Sequence, residues 1–175
     1  MSKTTVKKVL MAMSKEEIID MVLAMYDARK EAKEYLEFYA NPDEDGKLEE
    51  YKKIITEEFY PSKKTKAAKL QFSVCRKAVS DYKKLKPSAD KLADLMLCYV
   101  ENACQFTFDY GDMWEQYYTS VENNFEKTME FIAKNNLLEH FKPRLKQCVV
   151  WASPCGWEFA DTIEDIYYEY FPEDD

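Results

Sequence analysis

Carboxylates are plentiful in this chain but other residues that could carry chemistry are sparse, and each candidate can be weighed by its spacing. His140 is the single histidine, so a Cys–His pair or a Ser–His–Asp triad would have to be built on it. It falls in Leu138-Glu139-His140-Phe141, near a predicted helix end, where a structural role is expected. The five cysteines include Cys98 with Cys104 and Cys148 with Cys155, and neither pair has the Cys-x-x-Cys spacing of zinc ligands. They read as small buried hydrophobes. Gly46, Gly111 and Gly156 are too scattered to form a loop that cradles phosphate. Glu122, Glu126 and Glu130 recur every fourth residue, yet no Glu-x-x-His partner accompanies them, which argues against a di-iron bundle. Asp161, Glu164 and Asp165 could imitate the acid pair of a sugar-cleaving enzyme, but read more simply as a solvated acidic face. No cofactor and no metal is expected.

One pattern stands above this background. Residues 1–61 hold 10 basic and 14 acidic groups, residues 62–91 hold 10 and 2, and residues 92–175 hold 5 and 17. Within the basic block Lys69, Arg76 and Lys83 repeat every seventh residue, with Lys66, Lys77 and Lys84 on the neighbouring strip. At about 100° per residue all six would share roughly a third of one helix circumference. Ser73 and Ser80 sit among them. A solvated face, or one leaning toward the acidic C-terminal helices, is the plain account. A docking face for an acidic protein partner is the functional one. Nucleic acid is disfavoured, because a net charge of −8 opposes long-range attraction and no nucleic-acid motif accompanies the stripe.

The elements that would position these residues are helices. Nearly half of the chain is apolar, a third is charged and 15% is aromatic, a folded rather than disordered balance. A length of 175 residues suits one domain, taken as 1–175. The organising stretch is Ser88–Asn135. Leu92, Leu95, Met96, Tyr99, Val100, Ala103, Phe106 and Tyr110 lie on one helical face, and Ala93, Leu97, Cys104 and Phe108 on a second, so this helix is expected at the centre of the fold. Gly111 ends it. Asp112 with Glu115 is expected to cap the next helix, whose stripe is Trp114, Tyr117, Tyr118, Val121, Phe125, Met129 and Ile132. The short turn makes the two antiparallel.

Before this pair come a helix over 4–12, one opened by the Ser14–Glu17 capping box with Ile18, Met21, Val22 and Met25 inward, a continuation or restart over 29–39, and helices over 44–60 and 63–85. After it come a short element ending at Phe141, a helix begun by Pro143, and a last helix over 157–171. Glu37-Phe38-Tyr39, Glu58-Phe59-Tyr60-Pro61 and Glu169-Tyr170-Phe171-Pro172 repeat an acid followed by aromatics at helix ends. The expectation is an all-α protein of about eight helices in stacked antiparallel hairpins, an irregular bundle or a short α-solenoid-like array. No apolar run reaches membrane-spanning length. The cysteine usage fits a reducing compartment, so a cytoplasmic protein is expected.

The run from Gly111-Asp112 through Tyr117-Tyr118 to Phe125-Glu126, and the ending Gly156-Trp157-Glu158-Phe159 through Tyr167-Tyr168-Glu169-Tyr170-Phe171-Pro172, resemble a bacterial family of uncharacterised proteins carried as a domain of unknown function. Ser14-Lys15-Glu16-Glu17 and the stretch from Leu36-Glu37-Phe38 to Pro42 are similar to it as well. The resemblance covers nearly the whole chain and implies a bacterial source and a stand-alone domain, but it brings no activity and no functional residues. The residues themselves favour a non-catalytic interaction protein binding a partner through Lys66, Lys69, Arg76, Lys77, Lys83 and Lys84. An enzyme using Asp or Glu in an inter-helix cleft is the alternative, and nucleic-acid binding through the stripe the third reading.

Overall fold

A narrow polar strip on an otherwise apolar helix is the signature of an element surrounded by others, and the computed structural model places α6 (Ala89–Tyr110) in that position. The structure describes residues 1–63, 67–156 and 158–174. Among these there are nine α-helices, a final 3-10 turn over Pro172–Asp174 and no strand. They cluster into two compact units, Met1–Asp43 and Glu44–Asp175.

The first unit holds α1 (Lys3–Ala12), α2 (Lys15–Ala28) and α3 (Lys30–Ala40). The expected capping box opens α2: the Glu17 amide donates to the Ser14 hydroxyl at 3.1 Å, and the Ser14 amide donates to the Glu17 carboxylate at 2.7 Å. This bond also holds the Glu17 carboxyl below its usual range. Arg29 adopts an extended backbone that separates α2 from α3. The inward face expected of α2 is only partly covered, since Ile18, Met21 and Val22 are half-buried and Met25 is exposed. Phe38 is the buried residue of these three helices.

The second unit is built around α6. Against it pack α4 (Glu44–Phe59), α5 (Phe72–Lys84), α7 (Glu115–Lys134) and α8 (Leu138–Ala152), while α9 (Phe159–Tyr170) closes over α7 and α8. Leu95 is fully buried and Tyr99 nearly so, as are Tyr117, Phe125, Met129 and Ile132 facing them from α7. Aromatic rings form the middle of this core. Phe59 lies 6.3 Å from Tyr99 and Phe72 lies 4.9 Å from Tyr117, centroid to centroid. Of the aromatic helix ends, Phe38, Phe59 and Phe171 each place a ring inside.

Three boundaries depart from expectation, two of them because groups elsewhere in the chain compete for the local ones. The basic block does not enter one helix over 63–85. The Lys69 and Leu70 amides donate to the Glu58 carbonyl and the Gln71 amide to the Glu58 carboxylate, Leu70 takes a positive φ, and α5 starts only at Phe72. Asp112 does not cap α7. It accepts from the Tyr118 hydroxyl and the Gly156 amide, both at 3.2 Å, and Trp114 occupies the cap position. Pro143 does not open a helix but lies inside α8, so the two elements expected there are one helix, at the cost of one backbone bond. Gly111, with φ +90, ends α6 as expected. Trp114, Ile54, Phe108 and Tyr110, expected inside, are exposed, the last two because they lie at the end of α6, and Trp157 lies outside the described residues.

Candidate functional site

α6 contributes to two sites, one on its polar strip and one beside Met96 and Tyr99. Toward α8, Asp94 and Glu101 lie seven residues apart and share one cation. Arg144 grips Glu101 with two guanidinium nitrogens at 2.7 and 2.6 Å and reaches Asp94 with a third at 2.6 Å. From α4, Lys52 meets the other Asp94 oxygen at 2.8 Å. Burial pushes the Asp94 carboxyl up, but Lys52 and Arg144 outweigh it and hold it below the usual carboxylate range. The bidentate fork is the strong form of such a pair, and it ties α4, α6 and α8 together.

Toward α5 and α7 the surface opens into a groove of about 300 Å³. From α5 come Arg76, Val79, Ser80 and Lys83, from α6 Met96 and Tyr99, and from α7 Asn124, Lys127 and Thr128. Val79, Met96 and the Tyr99 ring give it an apolar floor, and Arg76, Lys83 and Lys127 a cationic rim. Seven-residue spacing puts Arg76 and Lys83 on the same side of α5, and the packing of α5 and α7 against α6 brings Lys127 opposite them.

Partnering distinguishes these cations from the others. Lys77 and Lys84, on the adjoining strip of α5, both bind the Asp81 carboxylate, Lys84 at 2.7 Å, and together they hold Asp81 below the usual carboxylate range. Lys83 and Lys127 have no ion pair among the described residues, and Arg76 donates only to the neutral Ser120 hydroxyl, at 3.2 Å. The Asn124 amide and the Thr128 hydroxyl are spent on carbonyls of their own helix, each at 2.6 Å. The Tyr99 hydroxyl is the buried side-chain polar atom that has no hydrogen-bond partner among the described residues. Burial pushes its pKa up to about 12, against the lowering pull of the neighbouring Ser120 and Arg76 side chains.

Of the six residues expected in one basic stripe, the structure brings Arg76 and Lys83 to the groove and turns Lys77 and Lys84 to Asp81. Lys69 is exposed in the irregular segment before α5, a correction forced by the Glu58 contacts, and Lys66 lies outside the described residues. Sequence reasoning missed Lys127. Its signal was its isolation, as the one cation between Lys91 and Lys134 in an acidic block.

The remaining candidates do not converge. His140 is exposed in the first turn of α8, edge-on to Phe141. Glu126 and Glu130 are exposed, and Glu122 is half-buried with its carboxyl raised by desolvation. Asp161 and Asp165 point to solvent from α9 with Glu164 half-buried. All five cysteines are unpaired, four buried and Cys155 half-buried. No group of three or more metal-ligating side chains is placed to hold an ion among the described residues, and no described helix is long and apolar enough to cross a membrane.

Fold and groove together define an all-α protein whose central helix carries a three-sided cationic cleft. The chain belongs to DUF6155, a family of unknown function, whose model matches residues 1–171. No curated protein and no solved structure matches it.

Proposed function

We propose that the chain is a non-catalytic interaction protein that docks an acidic segment of a protein partner in the groove between α5, α6 and α7. The observation that carries this reading is the split within one set of cations. Those on the groove rim, Arg76, Lys83 and Lys127, lack a carboxylate among the described residues, whereas Lys77 and Lys84 one strip away are neutralised by Asp81. Unpaired like charges repel one another, so their arrangement around one cleft favours an anion supplied from outside. The carboxylates that converge most closely, Asp94 and Glu101, are engaged by Arg144, so an acid pair has less to recommend it than the groove. Unpaired cysteines without framework spacing support placing the protein in the cytoplasm.

The test is fluorescence anisotropy with a labelled peptide of glutamate and alanine at low salt. Arg76→Ala combined with Lys127→Ala should weaken binding by on the order of tenfold, about 1.4 kcal/mol. Lys77→Ala should leave it nearly unchanged, and added salt should weaken it. Equal affinity of the double variant and the unaltered protein would end the proposal, and transfer of the effect to Lys77→Ala would move the site off the groove.

A further inference from the structure

The donors left over in the groove specify its ligand more closely than net charge does. A carboxylate carries one charge and two oxygens, and a single guanidinium fork satisfies it. Here three cations face one cleft without a counter-charge, from two helices. The lining contains no aspartate or glutamate. The neutral hydroxyl open to the groove is Ser80 on the wall, and the Tyr99 hydroxyl lies buried in the floor without a hydrogen-bond partner among the described residues. A buried hydroxyl that makes no hydrogen bond costs stability, and such a cost is tolerated where a ligand repays it. The acceptor that suits several cations and further O–H donors at once is compact, has more than two oxygens and carries close to two negative charges. A phosphate monoester has these properties, with about −1.5 to −2 charge at neutral pH and three strong acceptor oxygens.

The apolar floor decides what the phosphate is attached to. Val79 and Met96 offer contact to a short alkyl stem and to an apolar neighbour, and a volume of about 300 Å³ is at the small end for ligand pockets, enough for one modified side chain and part of the next. Arg76 is already oriented by Ser120, so less of its freedom is lost on binding.

We propose that the groove receives a phosphorylated serine or threonine of the partner segment, held by Arg76, Lys83 and Lys127 with its stem on Val79 and Met96. The inference rests on the docking reading above and narrows it from acidic to phosphorylated.

The experiment compares three peptides of glutamate, alanine and valine that differ only at one central position, as serine, glutamate or phosphoserine, titrated into the full chain by calorimetry. The phosphoserine peptide should bind about tenfold more tightly than the glutamate peptide. That preference should collapse in Arg76→Gln and in Lys127→Gln, both rim substitutions whose folding is checked by circular dichroism, and persist in Lys84→Gln. Equal affinities of the phosphoserine and glutamate peptides, both above the serine peptide, would overturn this inference and leave the acidic docking reading standing. No binding by any peptide would remove both. Inorganic phosphate or phenyl phosphate competing as tightly as the phosphoserine peptide would overturn the assignment to a protein segment in favour of a small-molecule site.

Discussion

Arg144→Met is the sharpest test of how the second unit is held together. The substitution keeps the alkyl stem and removes the guanidinium, and with it three charge-assisted hydrogen bonds to Glu101 and Asp94. Asp94 retains Lys52. Glu101 retains nothing charged, with its side chain only 19% exposed. Breaking a fully buried pair costs about 3–5 kcal/mol because a charge is stranded. Arg144 itself is 36% exposed, so water relieves part of that, and a loss of about 2–3 kcal/mol is expected. With a urea slope of about 2 kcal/mol/M, the unfolding midpoint should fall by roughly 1 M.

Two further readouts distinguish electrostatics from packing. Adding Glu101→Leu removes the stranded charge and should recover about half of the loss. The second is pH. Asp94 is depressed in the folded protein, so its contribution is present above its unfolded pKa of about 3.9 and is lost as pH falls through the folded value. The gap between the unaltered protein and Arg144→Met should therefore narrow only below about pH 4. An unchanged midpoint in Arg144→Met, or a gap that stays constant into acid, would refute the account of the network.

Leu95→Ala, at a fully buried position, should cost about 2–5 kcal/mol, while Arg76→Ala on the groove rim should cost less than about 0.5 kcal/mol; matching denaturation midpoints would mean the fold is not centred on α6. Tyr99→Phe deletes the hydroxyl that lacks a hydrogen-bond partner among the described residues and should hold or raise the stability of the free protein, by at most the ~1–3 kcal/mol such a group costs, while weakening the phosphoserine peptide; a clear fall in the thermal midpoint would show that the hydroxyl is already bonded. Gly111→Ala places a side chain at φ +90 with nothing within 4 Å to clash, so backbone strain alone should cost about 1 kcal/mol and lower the urea midpoint by about 0.5 M.

The stripes of α6 and α7 could be read directly because the residues of each face recur along a single helix and report burial without reference to anything else. The pairing of Lys77 and Lys84 with Asp81 was similarly available from spacing. What could not be read depended on partners far along the chain. The start of α5 is set by Glu58, thirteen residues before Gln71. Asp112 has the spacing of a cap, yet Gly156, forty-four residues later, competes for it. The groove needed both kinds of information. Arg76 and Lys83 were visible as a repeat, whereas Lys127 joins them only through the packing of α5 and α7 on α6.

The buried cysteines have a kinetic consequence. Only the thiolate is nucleophilic, and burial pushes the Cys75 thiol up to about 12 and the Cys98 thiol to about 11. Cys148 lies fully enclosed beside Cys104, which also raises it. Each of these thiols is therefore silent toward an alkylating reagent until its surroundings part. Cys75 sits on α5, Cys98 and Cys104 on α6 and Cys148 on α8, so the order in which they become modified traces which helices separate first. Cys155, half-buried in the link between α8 and α9, reports the mildest opening. The molecule thus carries built-in clocks for its local and global opening, read by mass alone.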